Sequence, residues 1–333
     1  MGGGFVHRVI VIAGFVLMAA ALSPARFAAS AQQAASYPDR PIRVVIAQQA
    51  GSSIDTNIRV VGTALGEALG QPLVIDNRPG AGGALGMTIG AAAPPDGYTL
   101  VGVGSPQMVA PYAFKKLGYD LFGDFVPVAR YIVSQNALVT LPNFPAANVR
   151  AFIDLLKSKP GQFNMASAGP GSASQLAGVL FNTMAGIDAV HIPYKGGGAA
   201  VIAVLANEAQ YYVTPLPGAH GQIRAGRLKA LGVGGETRAP QLPQVPTIEE
   251  AGLPGYRSVG WTGLLMPRGA PPAMVTKVSG KLATVIAMPA IREQIIQAGG
   301  EPGFLAGAAF AQFMREDMAR FGAAAKAANL KAE

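Results

Sequence analysis

Cysteine is absent from all 333 residues, which excludes disulfides, thiol nucleophiles, cysteine-held metals and a lipid-modified N-terminal cysteine. Histidine is nearly absent, with only His7, His191 and His220 in the chain. None stands in a metal-ligand spacing or beside a Gly-x-Ser-x-Gly elbow, so the sequence predicts no metal, no cofactor and no catalytic residue. Charge is sparse at 13% of residues, and acids are the scarcer sign, 18 against 26 bases. No internal repeat and no low-complexity linker divides the chain. No apolar run reaches the roughly 20 residues that span a bilayer.

The N-terminus carries an export pattern instead. Arg8 precedes the fourteen mostly apolar residues Val9–Leu22, and Ala29-Ser30-Ala31 supplies the small side chains a signal peptidase needs. A membrane anchor is the competing reading, and Pro24 and Arg26 close the run against it. The expectation is therefore a leader over residues 1–31, a mature start near Gln32 and a protein free in the periplasm. Roughly 300 mature residues exceed what one core supports, so two domains are expected. Loss of Arg8 and Arg26 with the leader lowers the formal charge from +8 to +6, a balance that suits anionic ligands. Nucleic acid is not expected, because the one dense basic cluster, Arg224 to Lys229, has no aromatic interleaving.

Short apolar strands alternate with helical patterns, which argues an α/β fold with mainly parallel sheets. Ile42–Ala47, Leu73–Asp76, Thr99–Val103, Ala137–Leu141, Asn164–Ser167, Ala189–Ile192, Gln210–Thr214 and Leu228–Val233 read as strands. Ile54, Ile58, Val61, Leu65 and Leu69 recur at helical spacing behind Ser52-Ser53. Asn148 caps a second helix that stops at Lys159-Pro160-Gly161, and Thr247 with Glu250 forms a capping-box pattern. Phe310, Phe313, Met314, Met318 and Phe321 make an apolar stripe on the last helix.

Open α/β sheets bind ligands beyond the carboxyl ends of their strands. Three strand-to-helix loops fit. They are Gln49-Ala50-Gly51-Ser52-Ser53, Pro79–Gly83 and Ser167-Ala168-Gly169-Pro170-Gly171-Ser172-Ala173-Ser174. Each brings small residues and backbone N–H groups to a helix start, where the dipole favours an anion. The second loop departs from a dinucleotide fingerprint, since its third glycine, Gly86, comes one place late. The plainer reading is that these serines cap helices and these glycines permit turns. Asp55, in a first helical turn, reads as a capping or dipole-stabilising residue. In the third loop the serine follows both glycines, which does not make a hydrolase elbow.

Six ordered motifs complete the picture. They are Asn77-Arg78-Pro79-Gly80-Ala81-Gly82-Gly83, Pro95-Asp96-Gly97-Tyr98-Thr99-Leu100, Ser167-Ala168-Gly169-Pro170-Gly171-Ser172, His191-Ile192-Pro193-Tyr194-Lys195-Gly196, Val245-Pro246-Thr247 and Trp261-Thr262-Gly263-Leu264. From about Tyr37 onward the chain resembles the Bug-type periplasmic receptors of tripartite tricarboxylate transporters. The resemblance implies a bilobed type II periplasmic binding protein fold, two doubly wound sheets with a ligand cleft between them. One lobe would comprise residues 32–135 and 259–333 and the other 136–258. It also implies a monomeric receptor, not an enzyme, that captures a small organic carboxylate for the transporter's membrane subunits. Ser52, Ser53, Ala81 and Gly82 would hold the ligand from one lobe, and Ser167, Gly169, Ser172 and Thr214 from the other.

Four positions depart from the pattern of such receptors. Ser52 replaces a common glycine, Gln175 a frequent histidine, Gln48 a common aromatic and Thr214 an aspartate that could pair with an amino group. The last points away from amino acids as ligands. Two alternatives stand beside transport, a receptor that presents its ligand to a sensor kinase and, in a different class, an exported hydrolase using Ser172 or Ser174.

Overall fold

The computed structural model describes residues 37–170 and 172–327, apart from the side chains of Ala81 and Ala324. The expected leader and its cleavage near Gln32 lie outside the described residues, as does Gly171. Strand β1 (Ile42–Ile46) leads to helix α1 (Ser53–Leu69), β2 (Leu73–Asn77), a single 3-10 turn (Ala81–Gly83), α2 (Ala84–Ala91) and β3 (Thr99–Gly104). β1 pairs in parallel with both β2 and β3. After α3 (Ser105–Ala113) comes the long strand β4 (Phe125–Thr140).

The next stretch builds a second sheet from α4 (Val149–Ser158), β5 (Asn164–Ser167), α5 (Ala173–Ala185), β6 (Val190–Pro193), α6 (Gly197–Leu205), β7 (Tyr211–Pro215), α7 (Leu216–Arg224) and β8 (Lys229–Val233). β5 lies parallel to β6 and to β7. The chain then returns through β9 (Val259–Pro267), α8 (Pro272–Ala287), α9 (Pro289–Gln297), β10 (Glu301–Ala306) and α10 (Gly307–Ala327).

β4 joins the two sheets. Its first part pairs with β9 from Phe125 opposite Pro267 to Gln135 opposite Val259, and β10 flanks it near Ile132. From Asn136 onward the same strand pairs with β7 and β8. Two chain segments therefore run side by side where the sheets meet, one at Gln135-Asn136 and the other at Ser258-Val259. The Asn136 amide donates to Ser258 O at 3.0 Å, and Ser258 N donates to Gly234 O at 2.8 Å.

Each sheet is covered on both faces. Ile54, Ile58, Val61, Leu65 and Leu69 of α1 bury against Val44, Ile46 and the inner face of α8, as their spacing requires. Phe310 and Met314 of α10 pack with Trp261 and Leu265 on the opposite face. Phe152, Phe181, Tyr211 and Tyr256 form the aromatic centre of one core of the second sheet. Helices α1 and α4 start where the sequence says, and α4 ends at Ser158, just before Lys159-Pro160-Gly161. Ser52 accepts from Asp55 N at 3.4 Å and Asn148 from Ala151 N at 2.9 Å. Gly70 and Gly186 close α1 and α5 in the left-handed conformation, at φ 85° and 63°.

Three features differ from the sequence expectation. Among the described residues, five of the nine strand pairings are antiparallel, because β4, β9 and β10 run against their neighbours. The strand expected at Ala137–Leu141 is the tail of β4, whose earlier part is masked in the sequence by Pro127 and Arg130. Pro127 sits at a register shift, where a missing N–H is tolerated. The Thr247–Glu250 pair makes both reciprocal capping bonds, each 3.0 Å, on a turn rather than at a helix start.

Candidate functional site

The strand-to-helix loops of both sheets meet at a small chamber of about 30 Å³. Ser52, Ser53 and Gln48 form its wall from the first sheet, and Ser172, Ser174, Tyr212 and Thr214 from the second. That volume holds about two water-sized atoms, the size of one carboxylate's oxygen pair. Ser53, Ala173 and Gly197 are the first residues of α1, α5 and α6, and Pro215 is the residue before α7. All four line the chamber, so four helix N-termini converge on it. The first turn of every helix has N–H groups without an intrahelical partner, and the dipole adds partial positive charge there.

A second cavity of about 420 Å³ opens beyond the chamber and shares Gln48, Pro106, Ala168 and Ser172 with it. Gly80, Gly82, Gly83 and Phe114 face it from one side and Gly169, Pro170, Tyr194 and Lys195 from the other. Among the described residues lining either cavity, Lys195 is the one charged side chain, and no carboxylate is present. The two sides approach closely. A methyl on Gly196 would stand 3.4 Å from Gln49 Oε1, and one on Gly82 would stand 3.3 Å from Pro170 O and 2.5 Å from the Phe114 ring.

The hydroxyls at the back of the chamber are bound to one another. Ser172 Oγ accepts from Gln175 N and lies 3.1 Å from Ser174 Oγ, which accepts from Ala168 N at 3.1 Å. Burial pushes the Tyr212 phenol above its ordinary range, opposed by its contacts with Ser174 and Thr214. Tyr212 therefore stays a neutral donor and acceptor.

Asp55 fixes the loops in front. It accepts from Gly51 N at 2.9 Å, from Arg59 Nε at 2.9 and 3.0 Å and from Asn77 Nδ2 at 3.0 Å. Burial works against its ionisation, but the bonds from Arg59, Gly51 and Asn77 outweigh it and hold the carboxyl below the usual carboxylate range. Its role is the capping and orienting one read from its place in the helix.

Ser52, Ser53, Ser172 and Thr214 line the chamber, and Gly82, Gly169 and Ser172 the outer cavity. Ala81 opens the 3-10 turn beside Gly82. Ser167 lines neither cavity. It is fully buried behind its loop, 2.7 Å from His191 Nε2, and accepts from Gly169 N at 3.1 Å. That distance suits a nucleophile and its base, yet no substrate carbonyl reaches a side chain sealed from both cavities. Gln175 lies 3.4 Å from His191 Nδ1 on the same side. Lys195, Tyr212 and Phe114 join the walls without having been singled out for the site, and Ser174, named only in the third loop and for the hydrolase alternative, joins them. The Tyr194-Lys195-Gly196 motif was the one available signal for Lys195.

Two sheets linked by β4 and β9, with helix starts converging on a cavity between them, define a two-lobed ligand-binding protein of the type II periplasmic class. Residues 57–330 match the tripartite tricarboxylate transporter family receptor, and the chain belongs to that family. BugT of Bordetella pertussis (strain Tohama I) is 30% identical over 297 residues, 89% of each chain. MatC from Rhodopseudomonas palustris, solved with bound malate, is 32% identical with a TM-score of 0.81, over 86% of this chain and 99% of that one. An R. palustris protein solved with adipate is 28% identical with a TM-score of 0.87, over 89% of this chain and all of the other. Membership makes the chain a Bug-type solute-binding receptor and not an enzyme, which removes the hydrolase alternative.

Proposed function

We propose that this receptor captures a small organic carboxylate in the periplasm, after loss of residues 1–31, and as a monomer delivers it to the membrane subunits of a tripartite tricarboxylate transporter. The carrying observation is the convergence of α1, α5, α6 and α7 on a chamber whose wall includes no acid among the described residues. A carboxylate there gains about 0.3–1 kcal/mol from each helix end, and more in a dry site. Ser52 and Ser53 with the Ala81 and Gly82 amides hold the ligand from the lobe formed by residues 32–135 and 259–333. Gly169, Ser172 and Thr214 hold it from 136–258, and Ser167 braces their loop through His191. Lys195 draws the anion to the mouth. The adipate and malate of the two solved relatives support a carboxylate as the ligand class.

A thermal-shift screen against carboxylates, matched sulfonates and amines tests this reading. A carboxylate at about 100 times its dissociation constant should stabilise the fold by about 2.7 kcal/mol. Stabilisation by amines and by no carboxylate overturns it.

A further inference from the structure

One helix that aims at the chamber also rests on the opposite lobe. Pro215 and Gly218, at the start of α7, line the chamber. His220 and Arg224 share one face of the same helix and meet the corner between α9 and β10. His220 is buried, and its Nδ1 lies 2.6 Å from the carbonyl oxygen of Gln297, the last residue of α9. A carbonyl only accepts, so Nδ1 carries the hydrogen and donates. Arg224 Nη1 donates to Gln297 Oε1 at 3.1 Å, and Gln241 Nε2 donates to Gly300 O. The corner is pressed close. A methyl on Gly299 would stand 3.0 Å from His220 Cβ and 3.1 Å from Pro217 N.

The chemistry of this seam makes it separable. Leu216 and Ala219 of α7 pack in a core of the second sheet, Ile291 and Ile295 of α9 in a core of the first, and no apolar cluster among the described residues joins the two helices. A seam of polar bonds can part without exposing apolar surface, because water takes over each bond at a modest net cost. The last carbonyls of a helix have no partner within it, and a donor from elsewhere is favourable there. Burial holds the imidazole below its ordinary range, opposed by the bond to Gln297 and reinforced by Arg224, which keeps His220 a neutral donor near pH 7.

We propose that His220 is a positioning residue that latches the two lobes in the closed arrangement by donating to the C-terminal end of α9 across the seam. The latch sets how often the ligand-free receptor closes, and apparent affinity follows that fraction. The inference rests on the two-lobed binding reading above and is independent of which solute is bound.

Cysteine trapping of the ligand-free protein tests it, because the chain has no cysteine of its own. A methyl on Gly198 would lie 3.6 Å from Ala50 O across the cleft, so Ala50→Cys with Gly198→Cys reports closure as the rate of disulfide formation under air with copper phenanthroline. Added to that pair, His220→Leu should slow trapping about threefold to tenfold, the loss of one hydrogen bond. His220→Asn places an amide nitrogen near the position of Nδ1 and should slow it by less than about twofold. Gln241→Leu removes a neighbouring bond of the same seam and should act like His220→Leu, which keeps the test open if the leucine at 220 does not fold. Melting curves report the fold of every variant. A lowered melting temperature with an unchanged trapping rate makes His220 a merely structural residue and overturns the latch. Equal slowing by asparagine and leucine overturns it too, as does a natural background in which the cysteine pair is never trapped. With no carboxylate in the experiment, each of these failures leaves the carboxylate reading standing.

Discussion

Asn77 Nδ2 donates to Asp55 Oδ1 at 3.0 Å and to the Gln48 carbonyl at 3.1 Å, so one side-chain amide ties the end of β2 to the first turn of α1 and to the loop after β1. The two glycine-bearing loops of the first sheet are therefore positioned as a unit. The carboxylate of Asp55 is the centre of that unit, because it also holds the Gly51 amide and Arg59.

Asp55→Ala should lower unfolding stability by about 1.5–3 kcal/mol, the range for hydrogen bonds to a charged group. Denaturant unfolding measures it. The carboxyl is held below its ordinary value of 3.8 in the folded state. Its contribution is thus complete above that value and disappears as pH falls through the depressed folded value. The difference between natural protein and variant should be constant near neutrality and shrink in strong acid. A difference that grows on acidification would contradict the assignment.

Ser172 carries two roles that separate experimentally. Its oxygen accepts from Gln175 N at 3.1 Å as the cap of α5, so Ser172→Ala should cost about 0.5–2 kcal/mol of stability. If its hydroxyl also donates to the ligand carboxylate, the dissociation constant rises roughly tenfold to a hundredfold. Lost stability with unchanged affinity would leave Ser172 a cap only.

Lys195 is exposed at the outer cavity, where its attraction is screened by salt. Lys195→Met should weaken carboxylate binding by only about 0.2–1 kcal/mol at physiological ionic strength. The effect should reside in the association rate and fade at high salt, as stopped-flow binding at two ionic strengths would show. A loss confined to the dissociation rate and independent of salt would mean direct contact instead of steering.

Closure of the two sides is expected on binding. Gly198 of α6 sits so close to the opposite loop that a methyl there would lie 3.6 Å from Ala50 O. Small-angle scattering should show a smaller radius of gyration at ligand saturation, and Gly198→Phe should abolish that decrease by wedging the loops apart. Unchanged scattering of the natural protein at proven saturation would reject hinge closure.

The sequence by itself determined the local parse. Spacing of Ile54, Ile58, Val61, Leu65 and Leu69, caps at Ser52, Asn148 and Ser172, and the stop at Lys159-Pro160-Gly161 are set by residues within a few positions of one another. It also placed the glycine and serine loops at strand ends, where Ser52, Ser53, Gly82, Gly169, Ser172 and Thr214 line the cavities. Only the tertiary structure decided what those loops face. Gly196 and Pro215 have no capping side chain, so nothing local marked α6 and α7 as two of four helices aimed at one chamber. Ser167 carried the same local signature as Ser172, yet strand β6 brings His191 against it and turns it away from the cavity. Gln48 stood out in the sequence as a departure, and only the tertiary structure puts it on the wall of both cavities. Pairing across β4 and β9 joins residues more than a hundred positions apart, and no short-range pattern encodes which of them will meet.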